Sequence, residues 1–239
     1  LAGRMSASAA VAYHDEIARG WDNRYRRGAF ARRAAFFQDR ILPRLPREGI
    51  WLDVGCGSGY FSRIMARHGP PVIGYDASLA MLESARRAAE AENLSGRIDF
   101  QFVPTVERIS LPDASVDGCL CLNVLEYLDK PFDCLDEMVR VLRPGGLLVL
   151  SVPHAHSPVR AMQVIRNAMK GARSQSGSSY VALSRFTATG PRLRSRLKKR
   201  GMDVLMMSGF DGFIPEALLS ILPPSLLFTV ARKASQRSD

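Results

Sequence analysis

Trp51-Leu-Asp-Val-Gly-Cys-Gly-Ser-Gly59 decides how this chain is read. Trp51 to Val54 has the make-up of a short buried strand. It runs into three glycines at alternate positions, Gly55, Gly57 and Gly59, and then into a helix-like run from Tyr60 to His68. Glycine admits backbone conformations closed to other residues and lets a ligand lie directly on the main chain. A strand, a tight glycine turn and a helix therefore predict a site for a small molecule that sits on peptide groups.

The pattern on either side repeats the same unit. Strands are expected at 50–54, 72–75, 98–103, 116–122 and 146–152, with helices at 58–68, 78–92 and 131–141. Strands alternating with helices on this scale imply a parallel sheet covered on both faces. Pro144-Gly145-Gly146 reads as a sharp helix-to-strand turn, and Leu147 to Val152 as a strand buried on both sides. Upstream, residues 6–42 read as helical, with Ile17, Trp21 and Tyr25 four apart on one face. After residue 152 the alternation lapses. A short amphipathic run, Val159 to Lys170, leads into a glycine- and serine-rich tract from Gly171, of a length that suits a functional insertion. A basic helix near 188–200, a strand at 202–208, an apolar segment at 213–222 and a last strand at 225–231 follow, with a disordered tail expected from Ser235.

Composition narrows the class. A chain of 239 residues suits one large α/β domain, and 46% hydrophobic with 23% charged residues is ordinary for a globular protein. No apolar run is long enough to span a bilayer, and Leu1 to Ala12 lacks the sustained apolar core of a secretory signal. Cys56, Cys119, Cys121 and Cys134 show neither metal-ligand nor disulfide spacing, which fits buried thiols in a reducing cytoplasm. The net charge of +10 favours anionic partners or is simply a solvated surface. No basic motif interleaved with aromatics appears, so nucleic acid is not the expected partner.

The chemistry of the glycine turn points to a cofactor. Ligands of open parallel sheets bind beyond the carboxyl ends of the strands, and Asp76 at the end of the second strand can take the two hydroxyls of a ribose. That much suits any adenosine-bearing group. A dinucleotide turn, however, wants Gly-x-Gly-x-x-Gly, whereas here the third glycine comes one residue early and Asp53 precedes the turn. A carboxylate there repels a pyrophosphate and attracts an ammonium group. S-adenosyl-L-methionine carries both a ribose and an amine, and it fits.

Five segments in order then resemble the successive motifs of class I S-adenosylmethionine-dependent methyltransferases. They are Leu52-Asp-Val-Gly-Cys-Gly-Ser-Gly-Tyr-Phe, Gly74-Tyr-Asp-Ala-Ser, Leu111-Pro-Asp-Ala-Ser-Val-Asp, Leu122-Asn-Val-Leu-Glu-Tyr-Leu and Val141-Leu-Arg-Pro-Gly-Gly-Leu. The chain is most similar to the small-molecule branch that includes ubiquinone and menaquinone biosynthesis enzymes. The resemblance covers residues 45–152. It implies a Rossmann-like α/β fold: a seven-stranded, mostly parallel sheet with helices on both faces and an antiparallel last strand. With the connection after residue 152 read as an insertion, the chain divides into an N-terminal helical cap (1–44), a cofactor-binding core (45–152), an insertion or lid (153–186) and closing helix and strands (187–239). The resemblance further implies Gly55, Gly57 and Gly59, with Cys56, under the methionine part of the cofactor, Asp76 and Ala77 at its ribose, Asp53 toward its ammonium, and Asn123 nearby. Thr105 stands where relatives often carry an acid facing the adenine amine, so adenine would be held by Thr105 and Val106. Tyr13, Trp21 and Tyr25 belong either to a cap over the cofactor or to plain helix packing. Glu126-Tyr127 replaces a frequent Glu-His pair, so no base is assigned from that motif.

Methyl transfer needs a base only when the acceptor is a hydroxyl or an acidic carbon. His154 and His156, just past the fifth strand, are the candidates, with ordinary loop histidines the competing reading and His154 favoured. They have no carboxylate neighbour for a metal site. The run from Pro158 sets Met162, Ile165 and Met169 against Arg160, Arg166 and Lys170, a pattern that closes a hydrophobic pocket or lies on a membrane surface. The expected function is methylation of a small, hydrophobic or lipid-like acceptor on oxygen, nitrogen or carbon, with peripheral membrane contact. Competing readings are methylation of RNA or protein, and cofactor binding without catalysis.

Overall fold

The computed structural model describes residues 7–171, 183–214 and 216–235. The glycine- and serine-rich tract after Gly171 and the tail after Ser235 lie outside the described residues. Seven strands, β1 (Trp51–Val54), β2 (Val72–Asp76), β3 (Ile98–Phe102), β4 (Val116–Leu122), β5 (Leu142–Pro153), β6 (Met202–Phe210) and β7 (Leu226–Lys233), form one sheet in the order β3-β2-β1-β4-β5-β7-β6. The first five run parallel, and β7 is antiparallel to both β5 and β6. The chain leaves β1 toward β2 on one side and reaches β4 on the other. The strand order therefore reverses at the end of β1, and a crevice opens there.

Packing explains why these runs are strands. Trp51, Leu52 and Val54 are all fully buried, because helices cover both faces and period-two alternation is lost. Side chains on one face join the core under helices α3 (Tyr60–His68) and α4 (Leu79–Ala91). Those on the other join the core of α5 (Pro131–Val141) and α7 (Gly190–Lys198). Gly118 is required by the first strand: a Cβ there would lie 2.5 Å from the Trp51 indole. The four cysteines are free and buried, with Cys119 and Cys121 in the same core cluster. Strand β5 begins at Leu142 instead of 146, because Leu142 already pairs with Val116 before a register shift.

The N-terminal stretch is not one helix. It divides into α1 (Ala7–Ile17), a 3-10 turn (Trp21–Arg26), α2 (Gly28–Phe36) and a π-turn (Phe37–Ile41). Gly20 at φ +75° and Gly28 at φ +70° break the rod, so Ile17, Trp21 and Tyr25 do not form a single helical stripe. Phe37 and Ile41 are fully buried in the main core, and each contributes about 1.5–3 kcal/mol of anchoring. The front of the segment is tied down by polar contacts. Ser78 Oγ donates to Asp15 at 2.5 Å, Ser58 Oγ donates to Asp22 at 2.5 Å, and the buried Arg63 pairs with Asp22. These contacts lay α1 and the 3-10 turn across the open end of the glycine turn. The helix α6 (Pro158–Gly171) follows β5.

Candidate active site

A cleft opens at the carboxyl ends of β1, β2 and β4, lined by residues of the glycine turn, the N-terminal segment, α6 and the β6–β7 end. The three glycines that looked equivalent have different reasons. Gly55, Gly57 and Gly59 all have positive φ, +69°, +54° and +68°. A Cβ at Gly55 would lie 2.5 Å from Val124, and one at Gly59 2.5 Å from Phe100, so those two serve close packing. Only at Gly57 would a Cβ meet nothing within 4 Å. Gly57 is where the cleft floor is bare backbone. Gly59 caps α3 and does not line the cleft.

Two carboxylates flank that floor. Asp76 Oδ2 accepts from Gly57 N at 2.7 Å and its Oδ1 from Ser78 N at 2.8 Å, so the turn is held by the acid that ends β2. Burial raises its pKa, while the bonds from Ser78 and Gly57 oppose the shift. Each oxygen keeps a lone pair for a ligand hydroxyl. Asp53 is buried, accepts from Ser62 Oγ at 2.5 Å, and is pushed up to about 7, first by burial and further by the nearby Asp76. An incoming ammonium would favour its charged form. Cys56 lines the cleft as a neutral thiol, its pKa pushed well up by burial. Ala77, Thr105 and Val106 also line it, and Thr105 Oγ1 accepts from Glu107 N at 3.1 Å.

The aromatic residues separate. Trp21 lines the cleft and meets Phe30 edge-on at 5.8 Å. Tyr25 also lines it but is largely core: it stacks on Tyr60 at 3.8 Å, and its hydroxyl accepts from Arg33 Nη2 at 2.7 Å. Tyr13 stands outside the lining, edge-on to His14, and His14 takes the expected place at the wall. Burial lowers the pKa of His14, against the pull of Asp76.

The two histidines expected to act as bases are not in the cleft. Pairing of β5 with β7 continues to Pro153, and His154 N then donates to Ser225 O at 3.0 Å while the residue bridges to Ala188. This holds His154 at the end of β5, where its Nδ1 accepts from His156 N at 3.2 Å and burial lowers its pKa. His156 is exposed. A different network stands in the cleft. Asn123, at φ +59°, receives Arg33 Nη1 on Oδ1 at 2.9 Å and Ser151 Oγ at 3.0 Å, and donates from Nδ2 to Glu126 Oε1 at 3.1 Å. Arg33, Glu126 and Arg160 line the cleft and were not among the expected site residues. Glu126 was visible beside Asn123 in the fourth motif, but nothing in its spacing tells which way a residue after a strand turns.

The donor set suits a molecule with an amine and neighbouring hydroxyls. Residues 52–150 match the family described as Methyltransferase domain. Over 100 residues the chain is 36% identical to the ubiquinone biosynthesis O-methyltransferase of Psychrobacter arcticus, covering 42% of this chain and 39% of that protein. It is 35% identical over 106 residues to the malonyl-[acyl-carrier protein] O-methyltransferase of Serratia marcescens, 44% of this chain and 39% of that protein. Each match thus spans well under two thirds of the relative's length. The S-adenosylmethionine-dependent methyltransferase structure from Mesorhizobium loti has a TM-score of 0.59 at 22% identity, over 80% of this chain and 94% of that one, which shows a common fold. Residues 52–150 thus match a methyltransferase domain and are similar to the corresponding part of the ubiquinone biosynthesis O-methyltransferases.

Proposed function

We propose that this chain transfers a methyl group from S-adenosylmethionine to a small, largely apolar acceptor. The observation that carries this reading is the continuity of one cleft. Bare backbone at Gly57 with Asp53 and Asp76 lies on its floor, and Phe30, Phe210, Phe213 and Leu226 line it elsewhere. The cofactor supplies a methyl carbon already activated by a positive sulfur. The chain's residues have to hold it, orient the acceptor and exclude water. In this reading Asp76 takes the ribose hydroxyls, Asp53 the ammonium, and Thr105 and Val106 the adenine. The segment 1–44 is the cap, since Ala10, His14 and Trp21 already stand at the wall.

The acceptor approaches from a surface. Helix α6 carries Met162, Ile165 and Met169 at 62%, 62% and 66% exposure, three and four residues apart on one face, while Arg160 and Gln163 of the same helix line the cleft. Phe213 and Ile221 are exposed as well. Among the described residues no helix is long and apolar enough to cross a membrane. Peripheral contact through α6, with the apolar acceptor drawn from the lipid phase, accounts for this face. Four free cysteines accord with a reducing, cytoplasmic setting. The test is formation of S-adenosylhomocysteine with alkylated phenols, anilines and fatty acids presented in vesicles. Transfer to at least one supports the reading, and cofactor binding without transfer to any opposes it.

A further inference from the structure

Glu126 is the acid in the cleft that cofactor binding does not use. It sits in the single turn Leu125–Tyr127 directly after β4 and is 2% exposed. Its Oε1 is held by Asn123 Nδ2 at 3.1 Å, while its Oε2 meets no hydrogen-bond partner among the described residues. A buried carboxyl oxygen left unpaired costs free energy that a ligand donor can recover. The amide of Asn123 cannot be turned over, because its oxygen already receives Arg33 and Ser151. Oε1 is thereby a fixed acceptor. On the other side of the same amide, Arg33 spends Nη1 on Asn123 and Nη2 on Tyr25, and its Nε is also buried without a partner. One free acceptor and one free donor thus hang on Asn123, and both residues line the cleft.

We infer that Glu126 Oε2 takes the proton of an acceptor hydroxyl, so that the acceptor is methylated on oxygen. This rests on the methyltransferase reading above and narrows it. The acceptor's O–H bond breaks and leaves its electron pair on oxygen. That oxygen bonds to the methyl carbon as the carbon–sulfur bond breaks, with that pair going to sulfur. The proton rests on Glu126 and passes to water as product leaves. Arg33 stabilises the developing oxyanion. An amine acceptor needs no such base in its neutral form. Burial pushes Glu126 up to about 7, with its own backbone N–H, Asn123, Arg160 and Arg33 opposing, so both of its forms exist at neutral pH. The other ionisable groups lining the cleft are His14, Tyr25, Asp53, Cys56, Asp76 and Tyr127, of which Tyr127 follows Glu126 in the chain and meets His14 edge-on at 5.4 Å.

The experiment uses the full chain with nonylphenol and nonylaniline as paired oxygen and nitrogen probes. Glu126→Gln should lower transfer to nonylphenol by ~10²–10⁴-fold, the usual worth of a positioned base, and leave transfer to nonylaniline within about twofold. The kcat for nonylphenol should rise with pH through about 7 in the native chain and lose that limb in the variant. Independently of turnover, carbonyl-stretch infrared spectra should show protonated carboxyls that titrate near neutrality, Asp53 and Glu126 together in the native chain, with the Glu126 share lost in Glu126→Gln and the Asp53 share kept. Equal loss on both probes, native turnover of nonylphenol by Glu126→Gln, or S-adenosylmethionine binding with transfer to nitrogen alone or to neither probe would overturn the assignment. Absence of S-adenosylmethionine binding in calorimetry would instead refute the underlying function.

Discussion

The three glycines of the turn can be told apart by single alanine substitutions, because stability and cofactor affinity should respond in opposite order. Each has a positive φ, which costs an alanine ~1–2 kcal/mol. At Gly57 that is the whole cost to the free protein, since the new Cβ meets nothing within 4 Å. At Gly59 the Cβ would stand 2.5 Å from Phe100 and 3.1 Å from Ala85, and at Gly55 2.5 Å from Val124. Overpacking of that kind adds ~1–3 kcal/mol. For a chain of this size each kcal/mol lowers Tm by ~2–4 °C, so Gly57→Ala should lose about 2–8 °C and Gly55→Ala or Gly59→Ala about 4–20 °C. Affinity runs the other way. The Gly57 methyl occupies the cleft floor, and a similar ~1–3 kcal/mol of steric conflict weakens S-adenosylmethionine binding about 5- to 150-fold. The folded fraction of the Gly59 variant should bind nearly normally. Thermal denaturation without ligand and calorimetry with it read the two quantities. Native affinity in Gly57→Ala, or a larger stability loss there than in Gly59→Ala, would refute the assignment of the floor.

Further outcomes follow from the same geometry. Asp53, raised to about 7, must ionise to hold an ammonium, so S-adenosylmethionine affinity should fall as pH drops through 7, by up to about tenfold per unit, and Asp53→Asn should abolish the slope. The sign for folding is opposite. Between the ordinary carboxylate range and pH 7 the folded state holds a proton that the unfolded state has released, so Asp53 and Glu126 lower stability as pH rises across that window, which denaturant titration at several pH values can check. His154→Ala and His156→Ala should leave turnover nearly unchanged, since both side chains stand off the cleft; a large loss of kcat with intact folding would restore them as bases. Ile165→Asp should weaken vesicle co-sedimentation while leaving S-adenosylmethionine affinity untouched, and undiminished sedimentation would remove the membrane contact.

What was legible in the residues is the part set by short-range physics. Short apolar runs such as Leu147 to Val152, bounded by turn residues, read as strands buried on both faces, and alternation with helices then points to a parallel sheet. The order of the strands and the antiparallel closure came with the five motifs rather than with periodicity. The N-terminal helix was over-extended because Gly20 and Gly28 are tolerable inside a helical pattern, and only their positive φ breaks the rod. The glycines looked alike because spacing does not show that Phe100 and Val124 fill two of the three positions. The places of His154 and Glu126 depend on contacts that the residue pattern does not show. His154 at the end of β5 is held by Ser225, and Asn123, which holds Glu126, is itself held by Arg33 ninety residues away; neither of these two anchors is local in sequence.

Calorimetric titration of S-adenosylmethionine into the native chain and into Asp76→Ala tests the central claim most directly. Saturable binding at one site is expected for the native chain, with proton release near neutral pH. The variant loses charge-assisted bonds to the ribose, ~1.5–3 kcal/mol each, and should bind at least tenfold more weakly while still folding. Equal affinity of the two proteins, or no binding to either, would contradict the account.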